Sequence, residues 1–302
     1  MEKLTKRELN ILEFIRKNKK AGNAEIVNYL ASISSGASRI TIIRSINALI
    51  KAELVERKGE GRSVYYEEKS ANPLLAYFDI EEYFKKSPDE RSLAFERFNF
   101  GIFDSLGGIF SEGESEILIK ENKEAEGHKK KEATMILNHK KALEYIIGNR
   151  NEFKNLTLKK IEDVHGLIVD GLSVAKGLRK KAVGITGTKY RPLDNEYQIR
   201  EMMGKTVEVV NKKLNDPFSK AIFTTLMISY IQPFEDGNKR ASRLLGNAIL
   251  LANNACPLSY RSVNEADYKK AVILFYEQNS ARFFKELFIE QFKFAVSNYF
   301  LA

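Results

Sequence analysis

The segment Gln232-Pro233-Phe234-Glu235-Asp236-Gly237-Asn238-Lys239-Arg240, with Arg243 just beyond it, gathers residues able to do chemistry on one short stretch of this 302-residue chain. It reads as a loop running into a helix N-terminus. There, free backbone N–H groups and the helix dipole favour negative charge, so the pattern points to an anion site. Gly237 lets the backbone approach a phosphate closely. Arg240 and Arg243 lie three apart on the emerging helix, a spacing that lets two guanidinium groups face one phosphate chain. Asp236 is the natural magnesium ligand, because that ion takes one or two carboxylates and fills its remaining positions with phosphate oxygens and water. Phe234 is expected to anchor the loop in the core.

From Gln232 to Arg243 the chain resembles the Fic signature H-P-F-x-D/E-G-N-G/K-R-x-x-R at every specified position except the first, where glutamine stands for histidine. Ile185-Thr186-Gly187-Thr188-Lys189-Tyr190-Arg191-Pro192, Asn138-His139-Lys140-Lys141-Ala142-Leu143 and Leu244-Leu245 resemble the family too. The resemblance implies an all-α Fic fold that moves AMP from ATP to a protein hydroxyl, with the motif histidine as general base. It further implies ATP and Mg2+ as cofactors, with Gly237, Asn238, Lys239, Arg240 and Arg243 on the nucleotide and Asp236 on the metal. Ile185, Thr186, Gly187 and Thr188 would then form a flap that docks the target chain as an added strand.

Gln232 has no usable basicity near neutral pH, so roughly 10²- to 10⁴-fold of rate should be missing while nucleotide binding survives. Neither Glu235, adjacent on the loop, nor His165 or His139 is expected to replace the base. Lys239 occupies a position that is lysine in the related Doc toxins, which transfer phosphate, but those lack the second arginine. Arg243 therefore favours the AMP-transfer branch. Many family members carry an inhibitory helix of pattern S/T-x-x-x-E-G/N. The corresponding stretch here falls at Ile102-Phe103-Asp104-Ser105-Leu106-Gly107, with Leu106 where glutamate belongs. Base and restraint are absent together, which favours natural loss of activity over a laboratory change.

Helical periodicity places elements at Ala133–Ile147, Leu158–Leu172, Asn195–Leu214, Phe218–Ile231, Asn238–Leu251, Glu265–Gln278 and Ala281–Tyr299. Lys180–Pro192, rich in glycine and β-branched residues, reads as a small β-hairpin flap. The fold class is thus mainly α, with three regions: residues 1–70, a connector at 71–96, and the Fic domain at 97–302 with its core at about 133–280.

Residues 4–70 read as three short helices and a hairpin, with a break at Lys20-Ala21-Gly22-Asn23 and a serine cap before the third helix. On that helix Ile40, Ile43, Ile46, Leu49 and Ile50 are expected to form the buried stripe, leaving Arg39, Thr41, Arg44, Ser45 and Lys51 outward. The hairpin Leu54–Lys58 and Arg62–Tyr66 turns at Gly59-Glu60-Gly61. The whole resembles a winged helix-turn-helix, whose third helix enters the major groove while its wing touches phosphates. That makes Ser38, Arg39, Thr41, Arg44, Arg57, Lys58 and Arg62 the DNA-binding candidates. Fourteen Lys/Arg against nine Asp/Glu over residues 1–70, within a net charge of +9, suit a polyanion.

The remaining composition excludes rather than assigns. Cys256 is the single cysteine and His128, His139 and His165 the only histidines, so neither a disulfide framework nor a zinc site is expected. The N-terminus lacks an apolar secretion signal, which reads as cytoplasmic. Ala221–Ile231 is too short for a bilayer span of about 20 residues. The leading expectation is a DNA-binding, nucleotide-binding Fic-fold protein of little or no transferase activity with a transcription-regulatory role, and a homodimer on paired half-sites is compatible with it. The alternatives are an active adenylyltransferase or Doc-like phosphotransferase acting on a protein hydroxyl, and a protein-interaction scaffold.

Overall fold

Helix α1, Lys6–Asn18, starts at a reciprocal capping box: Glu8 N–H donates to Thr5 Oγ1 (3.3 Å) and Thr5 N–H to Glu8 Oε2 (2.7 Å). The computed structural model describes residues 4–33, 37–69, 72–104, 109, 140–172, 174–260 and 262–299, and divides into two units, Met1–Lys85 and Lys86–Ala302. The boundary falls inside the stretch read as a connector.

In the first unit α1 is followed by β1 (Lys20–Gly22), α2 (Asn23–Ser32), α3 (Arg39–Lys51), β2 (Val55–Lys58), β3 (Tyr65–Glu68) and α4 (Ile80–Lys85). The sheet order is β1-β3-β2, antiparallel throughout, with Arg57 opposite Tyr66 and Ala21 opposite the same tyrosine from the other side. The expected break at Lys20–Asn23 is therefore the strand Lys20–Gly22 running directly into α2 at Asn23. Lys19 turns the chain with φ 65°, and Ala21 buries against the core formed by Ile11, Leu12, Ile15, Ile26, Leu30, Ile46 and Leu49. Arg62 and Ser63 lie in a 3₁₀ turn, Gly61–Ser63, and the returning strand starts only at Tyr65.

Helix α3 presents a different face from the one expected. Ile42, Ser45, Ile46 and Leu49 are buried, whereas Ile40 and Ile43 are exposed. The helix offers two apolar stripes one residue out of phase, and packing selects the one that includes the small Ser45.

The second unit is helical: α5 (Lys140–Gly148), α6 (Leu158–Ile168), α7 (Glu196–Lys212), α8 (Pro217–Ile231), α9 (Asn238–Ala252), α10 (Glu265–Gln278) and α11 (Arg282–Tyr299). Of the first helix expected, residues 133–139 lie outside the described residues. Helix α6 stops at Ile168, short of Leu172, and Gly171 follows with φ 75°. Helix α8 is buried on every side, as an apolar helix at the centre of a bundle must be. Its N-terminus is capped by Asp216, which accepts from Ser219 N–H at 2.7 Å, with Pro217 in the first turn. Helix α9 packs on α8 at Gly246, where a Cβ would meet Thr225 Oγ1 at 2.5 Å.

The hairpin expected at Lys180–Pro192 does not form. Its backbone makes one isolated bridge, Arg97 to Arg191, and the carbonyls of Gly187 and Lys181 accept from the side chains of Arg91 and Arg179 instead of a facing strand.

Candidate functional site

The Gln232–Arg240 loop joins the end of α8 to the start of α9, the two helices at the heart of the second unit. Gln232 closes α8 in the left-handed region (φ 51°, ψ 60°), with its N–H donating to Ile228 O at 3.0 Å. Its side-chain Nε2 donates to Ser229 O at 2.6 Å. The buried Tyr276 hydroxyl adjoins the same amide and the Ser229 hydroxyl, and burial holds its pKa above the ordinary tyrosine value.

Arg179 holds this turn, and nothing in its local sequence singled it out. Its side chain is 1% exposed and donates to the carbonyls of Gln232 (Nε, 2.6 Å), Lys181 (Nη1, 2.6 Å), Leu193 and Ile231, while its backbone N–H donates to Pro233 O at 2.9 Å. One guanidinium thus satisfies carbonyls at the C-terminal end of α8 and ties the flap's two ends to the motif loop. Burial lowers its pKa from the usual arginine value. In sequence it sits beside Lys180 and Lys181, which are exposed, so composition alone makes it part of a solvated basic run.

Phe234 anchors the loop as expected, fully buried and stacked on His165 with ring centroids 3.7 Å apart. Asn238 closes the loop with both amide atoms: its Oδ1 accepts from Phe234 N–H at 2.9 Å and its Nδ2 donates to Phe234 O at 2.8 Å. His165 is buried, with Nε2 3.0 Å from Asp236 O and, among the described residues, no hydrogen-bond partner at Nδ1. The neutral tautomer that donates from Nε2 satisfies this arrangement. Burial lowers the imidazole pKa and nearby Arg240 adds to the effect, partly opposed by the hydrogen bond to Asp236. His165 therefore positions the loop. His139 lies outside the described residues, as does Leu106.

The loop's apex faces outward. Glu235 and Asp236 are exposed, and Gly237 takes φ 81° as the N-cap of α9 with no side chain capping the first turn. Asp236 Oδ2 lies 3.4 Å from Arg240 Nη2. Lys239 Nζ is 3.3 Å from Glu265 Oε1 and 5.1 Å from the Tyr268 ring centre, and Arg243 lies over Tyr260 and Tyr268 at 5.9 and 5.8 Å. Arg240 and Arg243 thus engage different neighbours. An uncapped helix end, three cations and the exposed carboxylate of Asp236 fit a phosphate chain with a divalent cation.

In the flap, Thr188 Oγ1 donates to Glu277 Oε1 (2.6 Å) and Arg91 Nη2 donates to both Glu277 Oε1 (2.9 Å) and Gly187 O (2.6 Å). The Arg91–Glu277 pair is 4% and 0% exposed, so a buried ion pair sets the flap. Thr186 is exposed and Ile185 half-buried. Sequence reasoning missed both ion-pair partners, because Arg91 lay in an unreadable connector and Glu277 on a helix with many charged positions.

In the first unit, Ser38 Oγ caps α3 by accepting from Thr41 N–H at 3.2 Å and lies 2.9 Å from Thr41 Oγ1, so both hydroxyls are engaged locally. Arg39, Arg44 and Arg57 are exposed. Lys58 pairs with Glu56 (2.9 Å) and Glu67 (3.0 Å), whose hydrogen bonds and charge raise its pKa. Two carboxylates on the same sheet weaken its claim on a phosphate. The Arg62 side chain lies outside the described residues.

The Fic/DOC family model matches residues 155–250, which covers α6 to α9 and the loop between the last two. A probable protein adenylyltransferase of Aquifex aeolicus (strain VF5) is 34% identical over 93 residues, a match that spans 30% of this chain and 29% of that protein. Among solved structures, Fic-1 from C. elegans is similar at 16% identity, covering 96% of this chain and 86% of that one, with a TM-score of 0.49. A Fic domain-containing signaling protein from Bacteroides thetaiotaomicron is similar at 18% identity, covering 72% and 90%, with a TM-score of 0.42. Among the described residues no helix is long and apolar enough to cross a membrane.

Proposed function

We propose that the chain, whose residues 155–250 match the Fic/DOC family model, binds ATP at the Asp236–Arg243 loop with strongly reduced capacity to transfer AMP. Asp236 would hold Mg2+; the Gly237–Arg240 backbone, Lys239, Arg240 and Arg243 would hold the phosphates. The bound ion would offset phosphate charge there. Gln232 can orient a hydroxyl but cannot remove its proton.

The observation that carries this reading is the state of the position where the family places its base. The Gln232 amide donates to Ser229 O, and His165, the one histidine among the described residues, is buried with Nε2 on a loop carbonyl. Incubation with radiolabelled ATP and candidate protein acceptors tests it. We expect binding without robust transfer, binding weakened by Asp236→Ala, and transfer raised roughly 10²- to 10⁴-fold by Gln232→His. Robust wild-type transfer abolished by Asp236→Ala would overturn it.

We further propose that the first unit binds duplex DNA as a winged helix-turn-helix, giving the whole chain a transcription-regulatory role. Its support is α3, which carries Arg39, Arg44 and Lys51 and no acidic residue. Binding should weaken steeply with salt, by a slope set by the number of phosphates neutralised. Flat salt dependence, or no binding at low salt, would leave a protein-docking role for this unit.

A further inference from the structure

The outward face of α3 has a composition that general phosphate binding does not require. Its buried stripe is Ile42, Ser45, Ile46 and Leu49. The opposite stripe, Ile40, Ile43, Arg44 and Asn47, repeats at the same helical spacing and is exposed throughout, with Ile40 at 64% and Ile43 at 37%. Few large apolar side chains among the described residues stay so exposed, and two of them share this stripe with a guanidinium and an amide. Arg39 flanks them at the helix N-terminus. Among the described residues neither Arg39 nor Arg44 has an ion-pair partner.

Two stiff β-branched side chains on a solvent face lose free energy to water unless a partner covers them. The charges around them select the partner. A second copy meeting this face would bring Arg39 and Arg44 against their own kind with no carboxylate on α3 to separate them. A duplex major groove offers both negative phosphates for the arginines and one apolar group, the C5-methyl of thymine. Amides read adenine edges and guanidiniums read guanine in the same groove, so Arg44 and Asn47 suit that setting.

We propose that Ile40 and Ile43 read thymine methyl groups, making α3 selective for duplexes that carry thymines beneath these two side chains. The proposal rests on the DNA-binding reading above and adds the specificity that reading lacks. The side chains are exposed, so substituting them leaves the core of the unit intact.

The test uses the full chain. Duplexes are selected from a randomised pool, and each thymine in the selected sequence is then replaced by deoxyuridine, which removes the methyl and keeps every hydrogen-bonding group. We expect affinity to fall about fourfold for each methyl that faces an isoleucine, as expected for one buried carbon. The Ile40→Ala/Ile43→Ala double variant should bind the thymine duplex as weakly as the wild type binds the deoxyuridine duplex and should no longer distinguish the two, while each single variant keeps the discrimination at the remaining isoleucine. Equal wild-type affinity for both duplexes, no enriched sequence, or discrimination that persists undiminished in the double alanine variant would overturn the inference while leaving DNA binding standing. Absence of any salt-dependent duplex binding would remove the DNA reading and this inference together. Isoleucine substitutions that change only the oligomeric state would assign the face to protein contact instead.

Discussion

At Gln232 the backbone adopts φ 51°, a conformation that costs most side chains about 1 kcal/mol and in which histidine is enriched. The turn can therefore hold the residue expected of an active site without rearranging, which is why Gln232→His is a fair test of chemistry and not of folding. His165 makes a second residue-scale prediction. Burial lowers its pKa in the fold below the ordinary imidazole value of about 6.5. The unfolded chain then binds the proton more readily, so stability is fully present above pH 6.5 and is lost as pH falls below that value. Protonation would also place an N–H on the Nδ1 that has no acceptor. Thermal unfolding measured between pH 7.5 and 5 should show this loss, and His165→Asn should flatten it at the cost of the stacking on Phe234; a slope unchanged by the substitution would assign it to other groups.

At the scale of elements, the motif loop is held by one cation from a distant segment. Arg179→Met keeps the volume and removes the donors to the α8 carbonyls, so we expect destabilisation on the order of 3 kcal/mol in urea and weaker ATP binding. A loss in ATP affinity with stability unchanged would place Arg179 in the site itself. The helices around this turn were legible in the sequence because their apolar periods are long and their caps, Asp216 and Asn195, stand where caps belong. Phe234 as an anchor followed from its place between proline and two acids. The face of α3 was not legible, since isoleucines at 40, 42, 43, 46 and 50 with Leu49 support two phases and only packing chooses. The flap was misread for a different reason: β-branched residues and glycines suggest pairing, but the partners of Gly187 and Thr188 are Arg91 and Glu277, far away in sequence. Lys58 likewise reads as a phosphate contact until the sheet brings Glu56 and Glu67 beside it.

At the scale of the molecule, the second unit extends upstream of the stretch that carries the family likeness. Ala94 and Phe95 N–H donate to Glu277 O at 2.9 and 3.0 Å, Asn99 N–H donates to the Tyr230 hydroxyl at 2.9 Å, and Arg191 N–H donates to Glu96 O at 2.8 Å. Residues 91–99 are thus stitched to the flap, α8 and α10. Arg91→Met leaves the Glu277 carboxylate in a dry interior, which should cost about 3–5 kcal/mol by chemical denaturation. Adding Glu277→Gln should recover part of that loss, because the stranded charge goes with it. A double variant as unstable as the sum of the singles would mean that the two residues act independently.

The same buried pair bears on how such a chain can be exchanged between genes. Residues 155–250 contain the motif, but Arg91 and Glu277 lie on opposite sides of that stretch, so a recombination cassette cut at its edges would carry neither. A graft that preserves the flap must travel as the whole span from Lys86 onward, and breakpoints tolerated in its descendants should fall before that lysine.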